Sequence, residues 1–223
     1  MPLQARKQLL AILVAIALVL ILPAFYYQVL ITPEIIFAIV SYFSFFGGLT
    51  VWRIVGYGSL TQPQKDAQLQ DSQGRWLSVM MLFGLIGVHS LGIYEFSRVH
   101  SERDRLTLGI GIIVIFTAII LSQTALRKLG KFFDRMTIQP EHRLITTGIY
   151  RYIRHPVYTS YILLFCGYCF LLQAKMSLGI MAILCFIWFR HRMIIEEKML
   201  VAYFGRDYQN YCRKTKRLLP FIY

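Results

Sequence analysis

The sequence predicts an all-α, multi-pass transmembrane helical bundle of about six crossings, and three observations carry that reading. Of the 223 residues, 57% are hydrophobic and only 16% charged, with a mean hydropathy of +0.54; a soluble domain has roughly 45–50% apolar and about 25% charged residues. Six apolar stretches approach the ~20 helical residues needed to cross a hydrocarbon core of about 30 Å. The cations cluster beside those stretches, on alternate connections. This composition excludes a disordered chain, a nucleic-acid-binding domain and an ordinary cytosolic enzyme. The net charge of +13 is therefore read as facing an anionic bilayer surface, not nucleic acid.

The first crossing runs over Leu9–Ile31, with Pro23 expected to kink it. It follows Arg6 and Lys7 but is too long and runs too far into tyrosines for a cleaved leader, so it reads as an uncleaved signal-anchor. The second spans Glu34–Tyr57 after the tight turn Thr32-Pro33-Glu34, the third Trp76–Tyr94 and the fourth Leu106–Leu126. The fifth, Val157–Gln173, and the sixth, Met176–Ile195, are separated by Ala174 and Lys175 alone, which makes them a tight antiparallel helical hairpin. Lysine and arginine number nineteen in the N-terminus, the 58–75 and 127–156 connections and the tail from Arg190, against four in the alternate connections. That asymmetry places both termini in the cytoplasm. Residues 1–126 thus form an N-terminal set of four segments. Residues 127–223 form a second unit of polar loop, hairpin 157–195 and amphipathic tail. The polar loop 61–74 carries no motif.

Chemistry is concentrated on the cytoplasmic side. The loop before segment five ends in Leu144-Ile-Thr-Thr-Gly148-Ile-Tyr150-Arg151-Tyr152-Ile-Arg154-His155-Pro156-Val-Tyr158. Pro156 suits the first helical position, with His155 at the N-cap, so free backbone N–H groups and partial positive charge stand beside Arg154 and His155. Such a site can hold a carboxylate or phosphate; equally, tyrosines and arginines there serve as interface anchors. At the end of segment six stands Arg190-His191-Arg192-Met-Ile-Ile-Glu196-Glu197-Lys198. Acidic residues at the end of an apolar helix must be solvated or paired, and Arg192 can pair with Glu196 four residues on. Because segments five and six form a hairpin, both polar clusters return to one spot. The tail Phe204-Gly205-Arg206-Asp-Tyr208-Gln-Asn-Tyr211 reads as a short amphipathic helix with its aromatics towards lipid.

In order and spacing, L-x-T-x-G-x-Y-x-x-x-R-H-P-x-Y, a helical hairpin, R-x-x-x-E-E, F-G-x-x-Y-x-x-Y and a terminal proline resemble the superfamily of isoprenylcysteine carboxyl methyltransferases and phospholipid methyltransferases. The resemblance covers about Glu141–Pro220. It departs at Ser160, where those proteins often carry glycine. The resemblance implies S-adenosylmethionine as methyl donor, held at the cytoplasmic end of the hairpin under the tail. Glu196 and Glu197 would then accept from the donor's hydroxyls or ammonium, while Arg154, His155 or helix N–H groups would hold its carboxylate. Tyr158, with Tyr150 or Tyr152, would face the adenine or sulfonium; Gly148 and Pro156 complete the implied cofactor-binding set. His155 is read as a cofactor ligand, a general base or a helix cap. Arg192 or Arg151 would orient an acceptor carboxylate. The acceptor is expected to be a lipophilic small molecule or a lipid-modified substrate, reached from membrane lipid; it is a carboxylate in one branch and an amine in the other. The host membrane is read as a bacterial inner membrane or an endoplasmic reticulum.

Two other readings stand beside this one. Tyr211-Cys212-Arg213 and the ending Pro220 to Tyr223 also resemble the C-terminal part of membrane sterol reductases, which would imply NADPH; the chain has little room for their substrate half. A non-catalytic membrane adaptor is the third. No nucleic-acid partner and no metal is expected: Cys166 and Cys169 are one turn apart in an apolar helix without further ligands and read as packing residues. His89 and Gln123 read as interhelical hydrogen-bond partners, and Gly84, Gly87, Gly109 and Gly111 as sites of close helix approach.

Overall fold

A computed structural model describes residues 3–48, 50, 72–99, 104–130 and 143–219. Arg53, the 58–71 stretch of the polar loop, Glu141 and the Pro220–Tyr223 ending lie outside them. Helices form over the described parts of the apolar stretches; the 51–57 end of the expected second crossing also lies outside the described residues. Helix α1 (Leu3–Ile16) passes through a π-helical turn (Ala17–Ile21) into α2 (Leu22–Tyr26). That wide turn precedes Pro23, which has no N–H to donate back along the helix. After a turn at residues 27–32 comes α3 (Pro33–Tyr42), again ending in a π-helical turn (Phe43–Gly47). Then follow α4 (Ser72–Arg98), α5 (Arg105–Leu129), a 3₁₀ turn (Gly148–Arg151), α6 (Pro156–Leu171), α7 (Lys175–Phe204) and α8 (Arg206–Lys214). Among the described residues the only β pairing is an isolated parallel bridge between Ile153 and Lys216.

Among the described residues, four helices are long and apolar enough to span a bilayer: Arg6–Tyr26, Trp76–Arg98, Arg105–Leu129 and Lys175–Phe204. Pro33–Gly47 and Pro156–Leu171 are apolar but shorter. Large apolar side chains such as Leu13, Phe25, Phe83, Ile113 and Phe186 stand exposed around the bundle, which in water would be untenable and in lipid is the expected outer surface. These features mark the chain as an integral membrane protein. At 1.5 Å per residue, α7 is about 45 Å long, so its Glu196–Phe204 end stands beyond a hydrocarbon core of about 30 Å. Helix α6 is only about 24 Å by the same measure.

The tightest packing joins α5 to α6. A methyl group added at Gly111 would stand 2.7 Å from Leu171 Cα and closer still to its nitrogen, and one at Gly167 would meet Ile115 Cγ1 at 2.8 Å. The two glycines let the backbones touch through reciprocal notches. Gly84 does so more loosely, against Leu184 at 3.3 Å, whereas Gly87 and Gly109 face open space; the expectation for those two is corrected. The hairpin turns where Gln173 takes φ 57°. Glu95 of α4 caps α7 by accepting from Met176 N, Ser177 N and Ser177 Oγ at 3.1, 2.9 and 2.6 Å. His89 satisfies both ring nitrogens, one across helices at the Tyr42 hydroxyl at 2.6 Å and one within its own helix at the Leu85 carbonyl at 2.7 Å, as a buried polar group in an apolar core must.

Candidate functional site

The start of α6, the far end of α7, and α8 meet at the basic end of the bundle. His155 is the N-cap of α6 and Pro156 its first residue. Helix α7 stops at Gly205, whose φ of 55° suits glycine, and the chain turns into α8. Beyond α8, residues 215–218 run alongside 152–155. Arg154 N and His155 N donate to the carbonyls of Lys216 and Arg217 at 2.8 and 3.0 Å, and Lys216 N donates to the Tyr152 carbonyl at 3.2 Å. Thr159 Oγ1 donates to the Leu218 carbonyl at 2.8 Å. The backbone N–H groups of residues 154 and 155 are thus occupied by the protein itself.

Glu197 is the centre of an ion network. Its Oε1 accepts from Arg154 Nε at 3.1 Å and lies 3.2 Å from His155 Nε2, while its Oε2 accepts from Arg217 Nη2 at 2.7 Å. The Arg154 guanidinium also donates to the carbonyls of Cys212 and Thr215. Burial alone would raise the Glu197 carboxyl, but hydrogen bonds from His155 and Arg217, with the charges of His155 and Arg154, hold it at about 2. Glu196 is used differently. Its Oε2 accepts from the Tyr158 hydroxyl at 2.7 Å and lies 3.6 Å from His155 Nδ1. The His155 ring, 4% exposed, therefore sits between two carboxylates and stacks on Tyr158 at 5.4 Å and 16°. Arg192 does not make the expected pair with Glu196: its guanidinium lies over the Trp188 ring, 5.6 Å from the centroid.

A cavity of about 540 Å³ opens in front of this cluster, within the size range of ligand sites. Its polar corner is lined by Arg143, Arg154, His155, Tyr158, Arg192 and Glu196; its apolar wall includes Phe46, Met81, Leu82, Leu85, Phe165 and Trp188. Tyr150 and Tyr208 line it too, at 6% and 1% exposure, and neither hydroxyl has a hydrogen-bond partner. A buried hydroxyl without a partner costs roughly 1–3 kcal/mol, and both of these belong to residues that border the cavity. Burial keeps both phenols above their ordinary range, so they are neutral donors.

Of the residues singled out in the sequence, Tyr150, Arg154, His155, Pro156, Tyr158, Arg192 and Glu196 line the cavity, and Glu197 backs it through the ion network. Gly148 and Tyr152 stand apart. Gly148, at φ 66°, packs beside Lys128, and Tyr152 is 51% exposed. The tail is corrected as well: Tyr208 and Tyr211 point into the protein, not towards lipid, with the Tyr211 hydroxyl donating to the Tyr150 carbonyl at 2.7 Å. Their i, i+3 spacing places them on one helix face, a signal that fits an inward face equally well. Arg143 and Arg217 escaped sequence reasoning because only the fold brings them to the cluster. Among the described residues no group of three His, Cys, Asp or Glu side chains stands ready for a metal ion.

Residues 109–202 match the model of the isoprenylcysteine carboxyl methyltransferase (ICMT) family. The chain is 29% identical over 116 residues to the probable protein-S-isoprenylcysteine O-methyltransferase of Oryza sativa subsp. indica, covering 51% of this chain and 61% of that protein. It is 31% identical over 117 residues to the protein-S-isoprenylcysteine O-methyltransferase of Xenopus laevis, covering 51% and 40%. The chain thus spans less than two thirds of the length of these relatives. The solved structure of the eukaryotic intramembrane Ras methyltransferase ICMT superposes with a TM-score of 0.60 at 21% identity, over 93% of this chain and 74% of that one. The resemblance read from the motifs is borne out: residues 109–202 match the isoprenylcysteine carboxyl methyltransferase family model, and the helical fold is similar to that of the solved structure.

Proposed function

We propose that this protein is an S-adenosylmethionine-dependent membrane methyltransferase whose acceptor is a lipophilic carboxylate of the isoprenylcysteine kind, and that its site and both termini face the cytoplasm. The observation that carries the reading is one cavity whose corner is charged and whose wall is apolar, bordered by two tyrosines whose buried hydroxyls lack a hydrogen-bond partner. The donor's chemistry fits that corner. Glu196, which accepts through one oxygen only, suits ribose hydroxyls or the ammonium; Tyr150 and Tyr208 offer neutral donors; Tyr158 presents an aromatic face. Once bound, the donor supplies a methyl group activated on a sulfonium.

The rest is positioning. A carboxylate acceptor enters already ionised, so no side chain has to remove a proton, and both nitrogens of His155 are turned to Glu196 and Glu197. We therefore assign His155 to the donor site and not to base catalysis. Arg192, with no carboxylate partner among the described residues, holds the acceptor carboxylate. The apolar wall takes the lipid chain and strips water from the nucleophile, and fixed geometry contributes the remainder. An amine acceptor, as in the phospholipid branch, would have to lose a proton before attack, a step that a carboxylate acceptor does not need.

The test is transfer of labelled methyl from S-adenosylmethionine by the detergent-purified protein to N-acetyl-S-farnesylcysteine, with phosphatidylethanolamine in parallel. A base-labile label on the farnesylated acid is expected. Label on the amine lipid alone, stable to base, would overturn the carboxylate assignment.

A further inference from the structure

Arg217 is absent from the cavity lining, yet it grips the residue on which the cluster turns. Its Nη2 donates to Glu197 Oε2 at 2.7 Å and its Nε lies 3.2 Å from each carboxylate oxygen. This near-bidentate hold fixes the carboxylate plane, as a planar guanidinium does and an ammonium does not. Oε1 is thereby presented to Arg154 Nε and His155 Nε2. His155 in turn faces Glu196 at 3.6 Å and stacks on Tyr158. One chain of contacts therefore leads from a tail residue, through α7, to the ring at the start of α6 and the two cavity-lining groups beside it. The Arg217 backbone takes part as well, its carbonyl accepting from His155 N at 3.0 Å. His155 is thus held by the same tail residue twice, once directly and once through Glu197.

We propose that Arg217 is a positioning residue for the methyl-donor site: its guanidinium sets the orientation of His155 through Glu197 and, by the same grip, ties the 215–218 strap to α7. The proposal rests on the donor-binding reading above. Arg217 is 31% exposed on its side chain, and ion pairs that reach solvent contribute little to stability. Its removal should disturb the orientation of the cluster far more than the fold, which separates positioning from a merely structural role.

The experiment compares the parent with Arg217→Ala and Arg217→Lys in detergent. It reads calorimetric affinity for S-adenosylhomocysteine, KM for donor and for N-acetyl-S-farnesylcysteine, thermal midpoint, and the rate of tryptic cleavage after Lys214 and Lys216. Arg217→Ala is expected to weaken the homocysteine product and raise donor KM about tenfold. Acceptor KM should stay within twofold, the midpoint within a few degrees, and cleavage should quicken severalfold. Arg217→Lys keeps the charge but not the fork and should fall between the two. Affinity and cleavage of Arg217→Ala within twofold of the parent would overturn the proposal, as would an equal rise in both KM values. Should the parent itself fail to bind S-adenosylhomocysteine, the donor reading falls. The cleavage comparison then still decides whether Arg217 pins the strap.

Discussion

Replacing Gly111 by alanine tests the contact that sets α6, and hence the site, in place. The added methyl would stand 2.7 Å from Leu171 Cα and 3.0 Å from the Phe170 carbonyl carbon, where carbon atoms rest at about 3.5–4 Å. Because the obstacle is backbone, no rotamer can relieve it and the helices must part by about 1 Å. Overpacking of this kind costs about 1–3 kcal/mol, and a backbone clash belongs at the upper end. For a chain of this length, that corresponds to a fall in thermal midpoint of roughly 6–12 °C. Gly109 lies on the same helix with nothing within 4 Å of the added methyl, so Gly109→Ala should be neutral or gain up to about 1 kcal/mol by removing a helical glycine. Thermal melts of both variants in one detergent, with product affinity measured alongside, form the assay. The parted helices carry Pro156 and His155 with them, so affinity should fall for Gly111→Ala alone. Equal midpoints for Gly111→Ala and the parent, or an equal fall for Gly109→Ala, would refute the packing argument.

Glu197→Ala leaves the Arg154 guanidinium buried without its counter-charge, while Arg217 relaxes into water. The expected cost is about 3 kcal/mol, the low end for breaking a buried pair, seen as a lower midpoint and at least tenfold weaker S-adenosylhomocysteine binding. Tyr208→Phe removes a hydroxyl with no partner in the protein; it should leave the midpoint unchanged or raised while weakening product binding about fivefold, the weight of one hydrogen bond. Arg192→Met should raise acceptor KM at least tenfold and leave product affinity within twofold in the same titration. The folded Glu197 carboxyl is held at about 2, below its unfolded value near 4.3. Its contribution to stability is therefore complete above about pH 5 and is lost as pH falls towards 2. Melts should be flat from pH 6 to 8 on its account and decline below pH 4.

The helices were legible because apolar length is a strong signal in lipid, and the hairpin because only three residues separate Leu171 from Lys175. The meeting of His155 with Glu196 and Glu197 followed from that hairpin. What could not be read depended on side-chain direction and on long-range return of the chain. The α8 tyrosines point inward because the Arg154–Glu197 cluster needs a roof, and nothing in F-G-x-x-Y-x-x-Y distinguishes that from facing lipid. Arg217 is one of several cations in the tail, and only the strap brings it to Glu197. Among the glycines, Gly109 and Gly111 are indistinguishable in sequence; a separation of two residues turns one towards α6 and the other into open space.

The most direct test of the central claim is calorimetric titration of the detergent-purified protein with S-adenosylhomocysteine, with NADPH as the parallel ligand. The account predicts saturable binding of S-adenosylhomocysteine alone, abolished or at least tenfold weakened in His155→Ala and Glu197→Ala. Binding of NADPH alone would contradict it and favour a reductase; binding of neither, with acceptor and lipid supplied, would leave a membrane adaptor in its place.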